Sequence, residues 1–198
     1  MLYHQLSEYY PPSAYSSPFE LLPKLHENSS SGLYYIRAKS VDIIRHISEN
    51  FFSEFTKRLQ CPRCPCSLDP LVIYIGKANG RDGLYQRLMQ ELYHVGAGTF
   101  FRGLGAVMGK NPQRATTPAS VKNYRFMDPE KKQIIEFIED NLEIVVVSLP
   151  SDEIISAELR EICRYGPIFN SDHNPCPSHL LKENRERCRR YAGEFILQ

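Results

Sequence analysis

A tyrosine pair, an arginine, a glutamate and an asparagine stand in this chain in contexts that suit the chemistry of phosphate esters. Tyr34 lies in Gly32-Leu33-Tyr34-Tyr35-Ile36 and Tyr74 in Val72-Ile73-Tyr74-Ile75-Gly76-Lys77. Arg87 follows in Leu84-Tyr85-Gln86-Arg87-Leu88, Glu158 in Ala157-Glu158-Leu159, and Asn170 in Pro167-Ile168-Phe169-Asn170. A carboxylate such as Glu158 is a hard oxygen ligand suited to Mg²⁺, which takes one or two carboxylates and completes its shell with waters and phosphate oxygens. Arg87 is permanently charged, planar and able to grip two oxygens at once. A phenol ionises near ~10 and is a poor base at neutral pH unless positive charge lowers that value, and Lys77 and Arg87 could supply the charge. Asn170, after a proline-led turn, could tether nearby backbone or approach a phosphate. Each residue also has a plainer alternative. A tyrosine in an apolar strand is usually core, Arg87 could be a surface arginine, and Glu158 could be an exposed helix carboxylate, as its neighbour Glu161 is expected to be.

These side chains need rigid elements beneath them. β-prone apolar runs predict strands over about Leu33–Ala38 and from about Leu71, with Gly76 expected to turn the chain sharply after the second. Strand alternation sends Tyr35 to the face opposite Tyr34, where it packs. Between the two strands, Ile43, Ile44, Ile47, Phe51, Phe52 and Phe55 recur at helical spacing, predicting one amphipathic helix capped by Asp42 and ending near Gln60. The proline-broken Cys61-Pro62-Arg63-Cys64-Pro65-Cys66 cannot continue it. Asn79-Gly80 and Asp82-Gly83 predict a loop ahead of a helix carrying Leu84, Leu88, Glu91 and Leu92. A second helix is expected from Thr99 to Met108, stopped at Gly109, followed by an exposed loop over 110–122. A helix with Ile134, Ile135 and Ile138 leads into a strand over Ile144–Leu149. Ser151 or Asp152 then caps a helix to about Tyr165, and a basic helix covers roughly Leu180 to Phe195. The fold class is therefore α/β, a small three-stranded mixed or antiparallel sheet flanked by helices, with an inserted helix and Cys-rich loop between the first two strands.

Tyr, Tyr, Arg, Glu and Asn in this order, with these flanking residues, resemble the GIY-YIG endonuclease family. Leu159, Ile162, Pro167 and Asn170 fall at the offsets the family uses after its glutamate. The resemblance divides the chain into an N-terminal arm (1–30) that packs on the domain or lies loose, a GIY-YIG-like nuclease domain (31–175, insertion 40–70) and a C-terminal basic helix (176–198). It implies a divalent-metal-dependent endonuclease that hydrolyses DNA, with Glu158 as the single protein ligand of Mg²⁺ or Mn²⁺. It further implies that one of Tyr34 and Tyr74 activates the nucleophilic water while the other positions water or phosphate; Tyr74 is our choice for the base. Arg87, with Lys77, steadies the phosphate charge, and the metal stabilises the leaving oxygen. The implied partner is double-stranded DNA, and a homodimer would allow both strands to be cut.

The chain departs from the family pattern in several places. Leu33 replaces the usual isoleucine, and the spacing from Tyr34 to Tyr74 is long. Glu91 stands one helical turn after Arg87, where many relatives place histidine or tyrosine. It could accept a proton, add a second acidic group near the substrate, or be a surface residue. His94 could cover the missing role or be structural. Arg102, in Gly98-Thr99-Phe100-Phe101-Arg102-Gly103, could contact a phosphate at a helix start or lie in solvent. Cys61, Cys64 and Cys66 form a C-x-x-C-x-C cluster. A structural zinc site needs four ligands, so Cys176, Cys188 or a histidine could complete it, or the loop could hold no metal. Cys163 is expected to be buried packing. The basic run 182–190 and Lys122-Asn123-Tyr124-Arg125 could track a DNA backbone or be solvated faces.

A net charge of +1 provides no global attraction for nucleic acid, so binding must rest on local clusters. Hydrophobic content of 42% supports a buried core. No apolar run reaches membrane-span length, and the first residues lack an export signal, so a soluble, cytoplasmic protein with reduced cysteines is expected and no membrane partner. Recognition carried by the core itself favours a restriction-type or genome-defence nuclease. The competing reading is a catalytically inactive nucleic-acid-binding or zinc-stabilised interaction module on the same fold, suggested by Glu91.

Overall fold

The computed structural model describes residues 15–27, 30–64, 69–79 and 83–194. Cys66, residues 80–82 of the expected loop, Phe195 and the first part of the arm (1–14) lie outside these. A three-stranded antiparallel sheet in the order β2-β1-β3 forms the centre, from β1 (Gly32–Ala38), β2 (Val72–Ala78) and β3 (Leu142–Ser148). β1 is paired on both edges and covered on both faces, which explains its nearly unbroken apolar run. Its alternation places Tyr34 and Ile36 in the larger core and Leu33 and Tyr35 in a smaller one beneath the sheet.

The chain reaches β1 through α1 (Pro18–Glu27), whose Leu22 and Leu25 are buried in the larger core. Ser16 extends the sheet by exchanging backbone hydrogen bonds with Ile144 at 2.9 and 2.8 Å. This part of the arm therefore packs on the domain. After β1 the expected single helix is two, α2 (Val41–Ile47) and α3 (Glu49–Leu59). Ser48 between them is fully extended at φ −173° and ψ 133°, a conformation that a residue able to bond its own backbone readily adopts. Ser40, and not Asp42, occupies the cap position.

Gly76 does not turn the chain. It lies inside β2, paired with Tyr34 of β1, and the Tyr34 ring covers the space a side chain would need. Beyond β2 come α4 (Gly83–Tyr93) and α5 (Thr99–Val107), the latter halted before Gly109 at φ +77°. The expected loop over 110–122 contains a short helix, α6 (Pro118–Lys122). Thr117 and Ser120 form a reciprocal capping box there, with Pro118 in the first turn, a signal weakened in the sequence by serine standing where glutamate is usual.

α7 (Glu130–Asn141) leads directly into β3. α8 (Ile154–Tyr165) begins later than expected, because residues 151–153 form a turn closed by Glu153 N–H on the Pro150 carbonyl at 3.1 Å. Finally α9 (His179–Gly193) packs across α5, with Leu181, Cys188 and Ala192 in the larger core. The insertion braces it. Glu54 of α3 accepts the N–H groups of His179 and Leu180 at 2.8 and 3.0 Å, satisfying orphan donors at the start of α9. Among the described residues, no helix is long and apolar enough to cross a membrane.

A Cβ on Gly76 would stand 2.2 Å from the Tyr34 hydroxyl oxygen. Gly76→Ala should therefore lower stability in urea melts by about 1–3 kcal/mol through forced movement of that ring. An unchanged midpoint would mean that the ring does not cover this strand position.

Candidate active site

The site opens at the edge of the sheet, where β2 leaves one side unpaired. An open cavity of about 410 Å³ is lined there by Tyr74, Lys77, Arg87, Gln90 and Glu158, with Gly76 as its floor. Strand alternation explains the arrangement. Tyr74 and Gly76 face the helices of the larger core, while Lys77 faces α8 and meets Glu158. Tyr34 lies one layer deeper, fully buried, its ring 6.1 Å from that of Tyr74.

Beneath the cavity a buried carboxylate organises the wall. Glu91 has no solvent exposure and sits one turn after Arg87 on α4. Its Oε1 lies 2.5 Å from the Arg87 guanidinium and accepts the Tyr34 O–H at 3.3 Å. Its Oε2 accepts the Phe100 backbone N–H at 2.6 Å. Arg87 also donates to the Tyr34 oxygen at 3.3 Å and to Gln90 at 3.1 Å, which fixes the direction of its fork. Glu91 is thus no surface residue. It holds Arg87, Tyr34 and the start of α5 together, beneath the cavity wall.

Burial pushes both phenols well above their usual range, and the Glu91 charge adds to the effect. Arg87 opposes the shift without reversing it. The expectation that nearby cations lower these values is therefore overturned in the free protein, where desolvation outweighs them. Burial likewise raises Glu91, opposed by Arg87 and the Phe100 amide.

Glu158 projects from α8 with 15% of its side chain exposed, and the Lys77 ammonium lies 2.6 Å from its Oε2. One accessible carboxylate on an open cavity that also holds Arg87 fits a small hard cation sharing its shell with waters and phosphate. Among the described residues, no group of three or more His, Cys, Asp or Glu side chains is placed to hold a metal. Glu161, expected to be exposed, is 2% exposed and accepts the Tyr35 O–H at 3.2 Å beneath the sheet. The α8 register turns it inward while Glu158 faces the cavity.

Asn170 acts as a tether. Its carboxamide accepts Ile75 N–H at 2.9 Å and donates to Ile75 C=O at 2.8 Å, gripping the outer edge of β2 between Tyr74 and Gly76. Asn174 in turn holds the Pro167 and Asn170 carbonyls at 2.7 and 3.0 Å. Arg58 of α3 donates to the Gly166 carbonyl at 2.6 Å and pins the end of α8 nearby. Asn174 and Arg58 escaped sequence reading, since neither carries a local signal.

His94 and Arg102 do not line the cavity. His94 stacks on Phe101 at 4.5 Å and accepts the Phe126 N–H through Nε2 at 3.1 Å. Burial, with Arg102, Lys131 and Arg125 nearby, lowers its pKa to about 4. Arg102 donates to Asn123 at 2.8 Å and lies over the Tyr124 ring. In the cysteine region, Cys64 is buried and Cys61 and Cys176 are half-buried. Burial and a hydrogen bond with Cys64 push the Cys176 thiol up to about 11. Cys163, expected in the core, is exposed, with its Sγ 3.4 Å from the His173 carbonyl. Gln86, Gln90 and Asn79 line the cavity without having been singled out in the sequence.

His94 supplies a test of this packing. The folded protein keeps its imidazole neutral down to about pH 4, whereas the unfolded chain takes up a proton near 6.5. The unfolded state then binds more protons between these values, so stability present above pH 6.5 is lost as pH falls through the window. His94→Asn, which tolerates the residue's positive φ of 57°, should remove a share of this loss on the order of 2 kcal/mol. Parallel denaturant melts at pH 7 and pH 4 check it; equal losses in both proteins would refute the buried neutral imidazole.

A model of the GIY-YIG catalytic domain matches residues 32–190, from the first residue of β1 into the last turns of α9. No curated relative and no solved structure matches the chain. Members of this family are in general endonucleases. The matched span contains this cavity and its tether, and the chain belongs to the GIY-YIG catalytic domain family.

Proposed function

We propose that this protein is a divalent-metal-dependent endonuclease that hydrolyses DNA phosphodiester bonds at the cavity beside β2. The observation that carries the reading is the convergence of Tyr74, Lys77, Arg87 and Glu158 from β2, α4 and α8 on one opening. Glu158 is the residue that would hold Mg²⁺ or Mn²⁺. Such an ion, when bound, offsets negative charge on the phosphate and on the departing oxygen.

The chain's own residues do the rest. Arg87, aimed by Glu91 and Gln90, grips the non-bridging phosphate oxygens and holds the phosphorus in line for attack. Lys77, an exposed ammonium on a flexible stem, moves between Glu158 and the phosphate as substrate enters. Tyr74 is the phenol that lines the cavity, so it exchanges a proton with the attacking water. Tyr34, buried behind it and hydrogen-bonded to Arg87 and Glu91, positions the arginine and does not touch substrate. Asn170 keeps β2 in register so that Tyr74 and Lys77 diverge to opposite walls.

The finer reading is of a restriction-type or genome-defence enzyme that recognises double-stranded DNA through helices of the catalytic domain itself. One cavity per chain cuts one strand, so double-strand scission uses two copies. Sequencing the ends produced from a large DNA tests specificity, and the ratio of nicked to linear plasmid tests pairing of cuts.

Two outcomes are expected. Wild-type protein nicks supercoiled plasmid with Mg²⁺ and not with excess chelator, and Glu158→Gln slows nicking by about 10²–10³-fold. No nicking by the wild type, or equal nicking by the variant, removes the proposal. Because burial holds the Tyr74 proton tightly, its base form grows about tenfold per pH unit below its pKa. The single-turnover rate should therefore rise with pH from neutral to mildly alkaline, and Tyr74→Phe should flatten that rise. A variant profile that keeps the wild-type slope would exclude Tyr74 as the base.

A further inference from the structure

Two arginines outside the cavity share an uncompensated position next to it. α5 and α9 cross so closely that a Cβ on Gly103 would lie 2.7 Å from an Arg185 guanidinium nitrogen. Arg185 donates to the Thr99 carbonyl at 3.2 Å and to Ser171 Oγ at 3.0 Å. Thr99 precedes Phe100, whose ring lies 5.2 Å from Tyr74, and Ser171 follows the tether Asn170. Arg185 thus sits between two elements that hold the Tyr74 wall. Arg102, on α5, is half-buried like Arg185 and points its guanidinium to the exposed Asn123 at 2.8 Å.

Neither guanidinium has a carboxylate in ion-pair distance among the described residues, whereas Arg189 pairs with Glu186 at 3.3 Å. The carboxylate whose field reaches both is Glu91, which Arg87 already pairs. A guanidinium carries five N–H donors. Arg102 uses one and Arg185 two in bonds to protein, which leaves donors on both for a ligand. Burial lowers the pKa of each, with Arg189 adding to the effect at both and Arg185 also at Arg102, a strain that a bound anion relieves. Donors without acceptors, in planar forks, suit phosphate oxygens.

We propose that Arg102 and Arg185 form a second phosphate site, which takes a backbone phosphate of duplex DNA flanking the scissile one on the α5–α9 side of Tyr74. The assignment rests on the endonuclease reading, and it concerns the hold on the backbone, with no contact to base edges. It explains how a chain with net charge +1 attracts a polyanion, by local concentration of unpaired cations along the path to the site.

The test measures binding of a short fluorescent DNA duplex to full-length protein disabled by Glu158→Gln, over about 50–200 mM NaCl. Arg102→Gln and Arg185→Gln should each weaken binding about tenfold and reduce the slope of log affinity against log salt by about 0.9. Arg102→Lys should keep the slope, because it keeps the charge. Lys132→Gln, on the exposed face of α7 and ion-paired with Glu136, should change neither quantity. Arg185 is packed between helices, so if its variant melts early, Arg102→Gln alone decides. A slope unchanged in Arg102→Gln, or in the double variant, overturns the second phosphate site while plasmid nicking by the wild type still upholds the nuclease reading. Absence of DNA binding by the parent protein overturns both.

Discussion

A carboxylate with no solvent must find every partner inside the protein, and Glu91 finds three from three places in the chain. Arg87 comes from its own helix, Tyr34 from the central strand, and the Phe100 amide from the start of the next helix. An exposed ion pair of this spacing would contribute little. Here removal of Arg87 leaves the buried Glu91 charge without compensation, so the arrangement of α4, β1 and α5 is locked to one geometry. Arg87 reaches the cavity only because its guanidinium is held from beneath. The direction of Arg87 thus depends on the carboxylate one helical turn after it.

The insertion between β1 and β2 serves the same end from a distance. Glu54 caps α9 and Arg58 holds the end of α8, so one inserted helix anchors the two C-terminal segments that flank the site. α9 is thereby integral to the domain, consistent with a family match that runs to residue 190. Asn170 and Asn174 complete the chain of support, carrying the position of the post-α8 turn into the outer edge of β2. An edge strand presents unpaired backbone groups; here a side-chain amide occupies them, and the strand keeps the register that aims Tyr74 and Lys77.

Charge in the free protein is balanced for rest. Lys77 rests on Glu158, Arg87 on Glu91, and both phenols keep their protons because burial and Glu91 disfavour phenolate. The accessible Lys77–Glu158 pair can be exchanged for other partners, whereas the Glu91 bonds beneath it cannot be exchanged without exposing a buried charge. Mobility at the surface and rigidity one layer down follow from the same difference in solvent access.

Much of this molecule was legible in its residues. Apolar runs mark the three strands, helical spacing marks the main helices, and residue type and flanking residues mark Tyr74, Lys77, Arg87 and Glu158 as able to do chemistry. Those features are local, set by backbone periodicity and residue type over a few positions. The α6 capping box and the late start of α8 were missed because local turn and cap bonds compete with helix continuation, and nothing local marks the extended Ser48. Glu161 looked like a surface carboxylate, Gly76 like a turn, and Glu91 stayed open between a substrate-side acid and a surface residue, since burial depends on which element lies opposite and a sequence window does not contain that neighbour. Residue types and local periodicity fix the chemical inventory and the order of the elements. Which charges meet, which tyrosine faces the cavity, and which arginines lack a carboxylate among the described residues emerge only on folding, because burial and pairing are set by contacts between residues far apart in the chain.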